Sequence, residues 1–285
     1  MASMNAMPAT PVLSRRHSVS PRSARSLLLT VLGELVLPSK RPVWTSALLH
    51  VLAGLDVEEK SARQAIARTA SDGWISSERD GRRVRWVLAP PGRRLLTEGA
   101  ERIYSVGNRQ RAWDGRWLVV MASVPESQRK LRHKLQTRLA WAGLGNPVGG
   151  MWVSPHPERA EEVRRIISDL GLEGSALSFV GPFGEIGSER SLVSRAWDLA
   201  QVGEHYEQFL AMVAADRSPA PGDETLFAQV RLVHEWRRFP FLDPQLPDSL
   251  LPTKWIGHRA KAVFDAKHDA WAPGARARWA ELTAD

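Results

Sequence analysis

The sequence predicts a multidomain α+β protein, and three features carry that expectation. A chain of 285 residues exceeds what one core comfortably serves, and 43% hydrophobic content suits burial without covalent staples. Its first third joins helical periodicity to a basic two-strand pattern, whereas its middle interleaves apolar strands with amphipathic helices. From Glu189 onward only helical spacing is convincing.

Taken in order, residues 1–21 are rich in Ser, Pro, Arg and Met and read as a disordered basic tail. Residues 22–108 form the first folded segment. A helix is expected over Ser23–Leu37, with Leu28, Val31, Leu32 and Leu35 on one face and Pro38 as its stop. A short helix follows over Thr45–Ala53, with Thr45 as N-cap and Gly54 at its C-terminal end. The next begins near Asp56, runs through Ser71 and stops at Gly73. Strands Trp74–Glu78 and Val84–Leu88 then flank Asp80-Gly81, a favoured hairpin turn, before a helix over Pro91–Tyr104. Helix, short helix, helix and basic hairpin in that order spell a winged helix-turn-helix.

Residues 109–187 have a different grammar. Arg116–Ser123 is an apolar strand, and Ser127–Ala142 a helix with Leu131, Leu135, Leu139 and Ala142 inward. Asn146–Ser154 reads as two short strands across Gly149-Gly150. A helix over Glu158–Leu170, with Ala160, Val163, Ile167 and Leu170 on one side, precedes a strand over Ala176–Gly181. This β-α-β-β-α-β order is the ferredoxin-like pattern. Residues 188–285 are expected to be a helical C-terminal domain, with helices over Arg190–Ala200, Glu204–Ala215, Asp223–Arg238 and Gly257–Trp271.

Charge singles out the first folded segment. Net charge is +8, and residues 1–112 hold 18 Lys/Arg against 9 Asp/Glu, whereas residues 113–285 hold 21 against 22. A polyanion is one natural partner for such a segment, and a solvated basic surface is the plain alternative. On the expected second helix of the motif, Ala62, Ala65, Ile66 and Thr69 form the inward stripe, so Lys60, Ser61, Arg63, Gln64 and Arg68 project outward. Arginine can bridge guanine and glutamine adenine, which suits Arg63 and Gln64 to base readout. Arg79, Arg82, Arg83 and Arg85 on the hairpin suit phosphates, and Thr45 completes the candidate double-stranded DNA face.

Enzyme signatures are weak. There is no cysteine and no G-x-S-x-G elbow. "GLGNPVGG" follows a helix and enters strands, the reverse of a dinucleotide-binding loop, and "HEWRR" lacks the second histidine of a zinc-protease helix. His133, His156, His205 and His258 have no metal-ligand spacing. No catalytic residue, metal or cofactor is therefore expected. The N-terminus lacks a secretory apolar core, and Leu27–Leu37 is interrupted by Glu34 and too short to span a bilayer, so the expectation is a soluble cytoplasmic protein without membrane contact. Trp236 and Trp255 lie among His234, Arg231, Arg237, Arg238 and Lys254, a mixture that would suit an apolar acyl group on an anionic carrier or, equally, a helix-packing interface.

"FAQVRLVHEWRRFPFLDPQLPDSLLPTKWIG" (Phe227–Gly257), together with "WDGRWLVVMASVPES" and "RLAWAGLGNPVGGMWVSP", resembles the PaaX family, bacterial repressors of phenylacetate-degradation operons. The similarity covers about residues 24–280. It implies a transcriptional repressor whose inducer is an aryl-acyl-CoA thioester such as phenylacetyl-CoA, acting through the two C-terminal domains, and the expected form is a homodimer, nucleoid-associated when bound to its operator. Paired recognition helices would need half-sites about one helical turn apart, or a multiple of it. Arg195, His234, Trp236, Arg237 and Trp255 become the candidate ligand-binding residues. The family's middle domain is in turn similar to a CRISPR-associated ferredoxin-like nuclease with a metal-binding aspartate at the end of its first strand. Here that strand ends Met121-Ala122-Ser123, without a carboxylate. A metal-dependent nuclease and a ligand-independent DNA-binding protein are the competing readings.

Overall fold

Apolar residues at three- and four-residue spacing build the first helix, and Leu28, Val31, Leu32 and Leu35 are all buried along it. The computed structural model describes residues 23–108, 113–215 and 218–284, so the expected basic tail lies outside the described residues. Helix α1 (Ala24–Val31) is capped by the Ser23 hydroxyl, which accepts the Ser26 N–H at 3.2 Å. It continues through a π-helical turn, Leu32–Val36, and a last turn, Leu37–Ser39, that includes Pro38. Lys40, at φ 54°, ends it.

Strand β1 (Val43–Trp44) leads directly into α2 (Thr45–Ala53), which Gly54 closes. Thr45 is therefore not the N-cap: the extended residue at that position is Trp44, and no side chain caps the helix. The following helix begins three residues after Asp56, whose φ of 61° keeps it outside the helix. Helix α3 spans Glu59–Ser71. Strands β2 (Ile75–Asp80) and β3 (Arg83–Leu88) form an antiparallel hairpin, and β1 adds to β3, giving the order β1-β3-β2. The turn is Gly81-Arg82, one residue later than expected, with Gly81 at φ 57° as the first of two turn residues. Helix α4 (Pro90–Ser105) follows, and Gly92 lies where a Cβ would overlap the Trp74 carbonyl.

A second antiparallel sheet has the order β5-β6-β4-β7 and comprises β4 (Arg116–Ala122), β5 (Gly145–Val148), β6 (Met151–Ser154) and β7 (Ala176–Pro182). Helix α5 (Arg129–Trp141) connects β4 to β5, and α6 (Ala160–Asp169) connects β6 to β7. Because side chains alternate, Leu118, Val120 and Ala122 bury one face of β4 with Leu135 and Leu139 of α5 and with Val163 and Ile167 of α6. Trp117 and Val153 occupy the other face, with Val193 of α7 (Glu189–Ala196) and Leu246. Towards the β7 edge this second face stays open, and Met121, Leu177 and Phe179 are exposed there.

The remaining long helices are α8 (Leu199–Ala215), which starts five residues before the expected Glu204, α9 (Asp223–Trp236) and α10 (Ile256–Thr283), with a short helical turn at Phe239–Leu242. The C-terminal helices divide between two units. One contains the described residues up to Arg102, Ser218–Glu235 and those from Lys267 onward. The other contains the described residues between Ile103 and Arg217 and Trp236–Ala266. In the first unit, Leu226, Val230, Ala275 and Trp279 share one core with Leu28, Leu48, Ile66 and Ile75. That burial explains why α10 runs through Pro273, a residue that costs about 3 kcal/mol inside a helix. Among the described residues no helix is long and apolar enough to cross a membrane.

Candidate nucleic-acid interface

Helix α3 separates an inner stripe from a polar face. Ala62, Ala65, Ile66 and Thr69 are buried, and the three small side chains allow close approach of α1 and α2. Lys60, Ser61, Arg63, Gln64 and Arg68 are exposed. Arg63 pairs with Glu59 one turn earlier, at 2.7 Å, an exposed i,i+4 contact that neutralises part of its charge. Lys60 and Arg68 have no ion-pair partner among the described residues.

The hairpin holds its four arginines in three different ways. Glu78 faces Arg85 across the ladder and pairs with it at 2.9 Å. The later turn creates this match: moving it by one residue shifts every cross-strand partner by two, which preserves the faces but changes the pairs. Arg83 stacks on Trp44, with its guanidinium carbon 3.8 Å from the ring centroid. Arg79 and Arg82 are exposed and make no ion pair among the described residues. Thr45 is already engaged, since its hydroxyl donates to the Val84 carbonyl at 3.0 Å and accepts the Trp86 indole N–H at 2.9 Å. Its placement ties the start of α2 to β3.

Sequence reading missed the partners of these cations. Glu59 was legible as an i,i+4 match to Arg63, but Glu78 required the turn register and Trp44 required the sheet order. Arg25, also missed, lies over Trp74 at 4.9 Å and pairs with Asp72, joining α1 to the end of α3.

Buried polar contacts tie C-terminal residues to this unit. Glu34, in the π-helical turn, accepts from Gln229 at 2.8 Å and pairs with His268 at 3.2 Å. Burial alone would depress the His268 imidazolium, but the hydrogen bond and charge of Glu34, with Asp269, outweigh it and hold the group above its ordinary value. Asp223 accepts from Arg278 at 2.7 Å and meets His50 at 3.0 Å, and these partners hold its carboxyl below the usual range.

The five candidate ligand residues fall in two different units. His234 belongs to the first unit, buried, with Nδ1 2.9 Å from the Thr30 hydroxyl. The other four belong to the second unit. Trp236 is fully buried, stacked on Phe264 at 4.5 Å, with its indole N–H donating to the Ile103 carbonyl at 3.1 Å. Trp255 meets Tyr206 edge-on at 6.0 Å, and Tyr206 in turn lies 6.1 Å from Trp236. Desolvation pulls the Arg237 guanidinium below its ordinary value, while Arg195 is exposed on α7. The Tyr206 hydroxyl donates to Asp243 at 2.6 Å, and burial raises the pKa of both groups. A separate cleft of about 370 Å³ in this unit is walled by Trp152, Trp197, Leu144 and Phe241 and reached by Asn146 and Asp243.

At the end of β4 the side chains are Met121 and Ala122, followed by Ser123, and no cluster of three or more His, Asp or Glu that could hold a metal occurs among the described residues.

Known proteins match along nearly the whole chain. The solved structure of the uncharacterized protein Rv0674 from Mycobacterium tuberculosis superposes with a TM-score of 0.61, at 21% identity, covering 92% of this chain and 99% of that one. The chain is also 29% identical over 276 residues to the transcriptional repressor PaaX of Escherichia coli (strain K12), covering 92% of this chain and 85% of the relative. Three family models match in succession: PaaX-like protein over residues 23–92, the PaaX protein central Cas2-like domain over 110–193, and the PaaX-like protein C-terminal domain over 197–281. With its N-terminal, central and C-terminal parts each matched in that order, the chain belongs to the PaaX family.

Proposed function

We propose that the chain is a DNA-binding transcriptional repressor, not an enzyme, acting on a phenylacetate catabolic operon in the cytoplasm and lying on the nucleoid when bound. In this reading α1, α2, α3 and the β2–β3 hairpin form a winged helix-turn-helix, and the β4–β7 sheet with α5 and α6 is ferredoxin-like. The observation that carries the reading is the solvent face of α3 beside the hairpin. Lys60, Arg63 and Arg68 lie on that face with Ser61, Gln64 and the Arg63 partner Glu59, while the opposite stripe of the same helix is sealed in the core. A helix so arranged can enter a major groove while the hairpin tip meets flanking phosphates. The name of the Escherichia coli relative, a transcriptional repressor, supports the same conclusion.

An aryl-acyl-CoA such as phenylacetyl-CoA is the proposed inducer. Trp197 and Phe241 offer its ring aromatic surface within the cleft of the second unit, a better receptor than the sealed Trp236. The open apolar end of the second sheet, at Met121, Leu177 and Phe179, suits a second copy and hence a homodimer. The inducer acts by binding preferentially to the dimer geometry that mismatches the operator.

Selecting bound fragments from random duplexes, then adding phenylacetyl-CoA in a gel shift, tests the reading. A common half-site motif and release by the thioester are expected. Absence of salt-sensitive binding to any duplex would sink the DNA reading, and binding that no acyl-CoA releases would remove the inducer alone.

A further inference from the structure

Four arginines ornament the hairpin, but they are not equivalent as phosphate ligands. Arg85 is partly neutralised by Glu78, and Arg79 and Arg82 have no ion-pair partner among the described residues. Arg83 differs from all three. Trp44 faces Arg85 in the β1–β3 ladder, so its side chain lies on the sheet face that also carries Arg83, one diagonal step away. The Arg83 guanidinium covers that indole at 3.8 Å, and Trp44 is only 6% exposed. No carboxylate forms an ion pair with Arg83 among the described residues, although Asp80 is its partner in the hairpin register.

The platform beneath it is itself fixed. Trp44 continues directly into Thr45, whose hydroxyl is held by the Val84 carbonyl and the Trp86 indole N–H, the residues flanking Arg85 on β3. Strand β1 therefore cannot slide relative to β3 without breaking both bonds. Stacking uses the π face of a guanidinium and leaves its five N–H donors around the rim. Arg83 is thus ordered, charged and still able to donate.

We propose that Trp44 is a positioning residue for a phosphate clamp, its indole holding the Arg83 guanidinium in place so that it meets the DNA backbone without first being immobilised. This rests on the DNA-binding reading given above. An arginine free in solution loses rotamer freedom when it grips a phosphate, and that loss weakens binding; a stacked arginine has lost it already.

The experiment titrates the full chain against a mixed-sequence duplex across a range of salt concentrations, for wild type, Trp44→Leu, Trp44→Phe, Arg83→Ala and the Trp44→Leu/Arg83→Ala pair. Phosphate contacts are independent of sequence, so no operator is needed. Arg83→Ala lowers the slope of log affinity against log salt by about 0.9, the value of one phosphate contact. Trp44→Leu weakens binding about 3- to 10-fold when Arg83 is present, as expected for freeing one long side chain, and has no effect when Arg83 is already alanine. Trp44→Phe, which keeps a ring of weaker cation affinity, falls between wild type and Trp44→Leu. Should Trp44→Leu not fold, as judged by its melting curve, Trp44→Phe compared with and without Arg83→Ala decides the matter. Equal weakening in both Arg83 backgrounds, or none in either, overturns the positioning role while leaving DNA binding intact. A wild-type protein that binds no duplex at all overturns the DNA reading itself.

Discussion

Helix α3 with its hairpin and the Trp236–Trp255 segment both read as candidate binding surfaces in the sequence, yet they fold in opposite senses. On α3 the nominated residues are exposed, because a helix with an apolar stripe leaves no choice about which side faces water. In the aromatic segment, Trp236 is the centre of a cluster formed by Phe209, Phe239 and Phe264. Periodicity therefore separates inside from outside, whereas a mixture of large rings and cations does not. Where every third residue can be buried, composition carries no direction.

The comparison can be broken most decisively at Trp236. If it is core, Trp236→Ala costs about 3–5 kcal/mol in a urea melt, like other large-to-small changes at fully buried rings. A variant with unchanged stability but lost response to an effector would return Trp236 to the surface category. Thr45 probes the same boundary from the other side, since this candidate DNA contact has its hydroxyl held by β3. Thr45→Val leaves the Trp86 indole N–H without its acceptor, and a loss of about 1–3 kcal/mol in stability is expected, with DNA salt dependence unchanged in the folded fraction.

Arg82 and Arg85 sharpen the comparison within the hairpin. Arg82→Ala is expected to lower the salt slope by about 0.9, and Arg85→Ala by less, because Glu78 already occupies Arg85. Equal slopes from anisotropy titrations would show that internal pairing does not rank these cations. The smallest effect concerns His268. Its folded pKa is raised, so the stability it supplies is fully present below its unfolded value of about 6.5 and is lost as pH rises through the folded value. Thermal melts of wild type should decline over that interval, and His268→Gln should flatten the decline. A wild-type profile level across that range would remove the Glu34–His268 contact from the stability of the unit.

Much of the architecture was legible. Every inward residue expected on α1 and α3 is buried, and the order of strands and helices through Pro182 follows the hydrophobic pattern apart from the two-residue strand β1, which it does not announce. The rest depended on partners distant in sequence. The hairpin turn falls at Gly81-Arg82 rather than Asp80-Gly81, a choice between two glycine-containing turns that local chemistry leaves nearly balanced. Helix α10 continues to Thr283 only because Ala275 and Trp279 find a core built by residues between Leu27 and Leu88. On the candidate face, the cations were readable from spacing. Which of them are stacked, paired or unpaired was not, because Trp44 and Glu78 reach them across strands whose register the sequence does not state.

That shared core sets a timetable for synthesis. Leu226, Val230, Ala275 and Trp279 complete the apolar interior of the unit that carries α3, and Gly54 has no room for a side chain against Phe227. Domains ordinarily fold in turn as they leave the ribosome, but here the core around α3 waits for residues as late as Trp279. A nascent or proteolytically shortened chain lacking residues 267–284 has an unfinished interior behind its cationic helix, so such a product is a poor competitor for the sites of the chain that retains them.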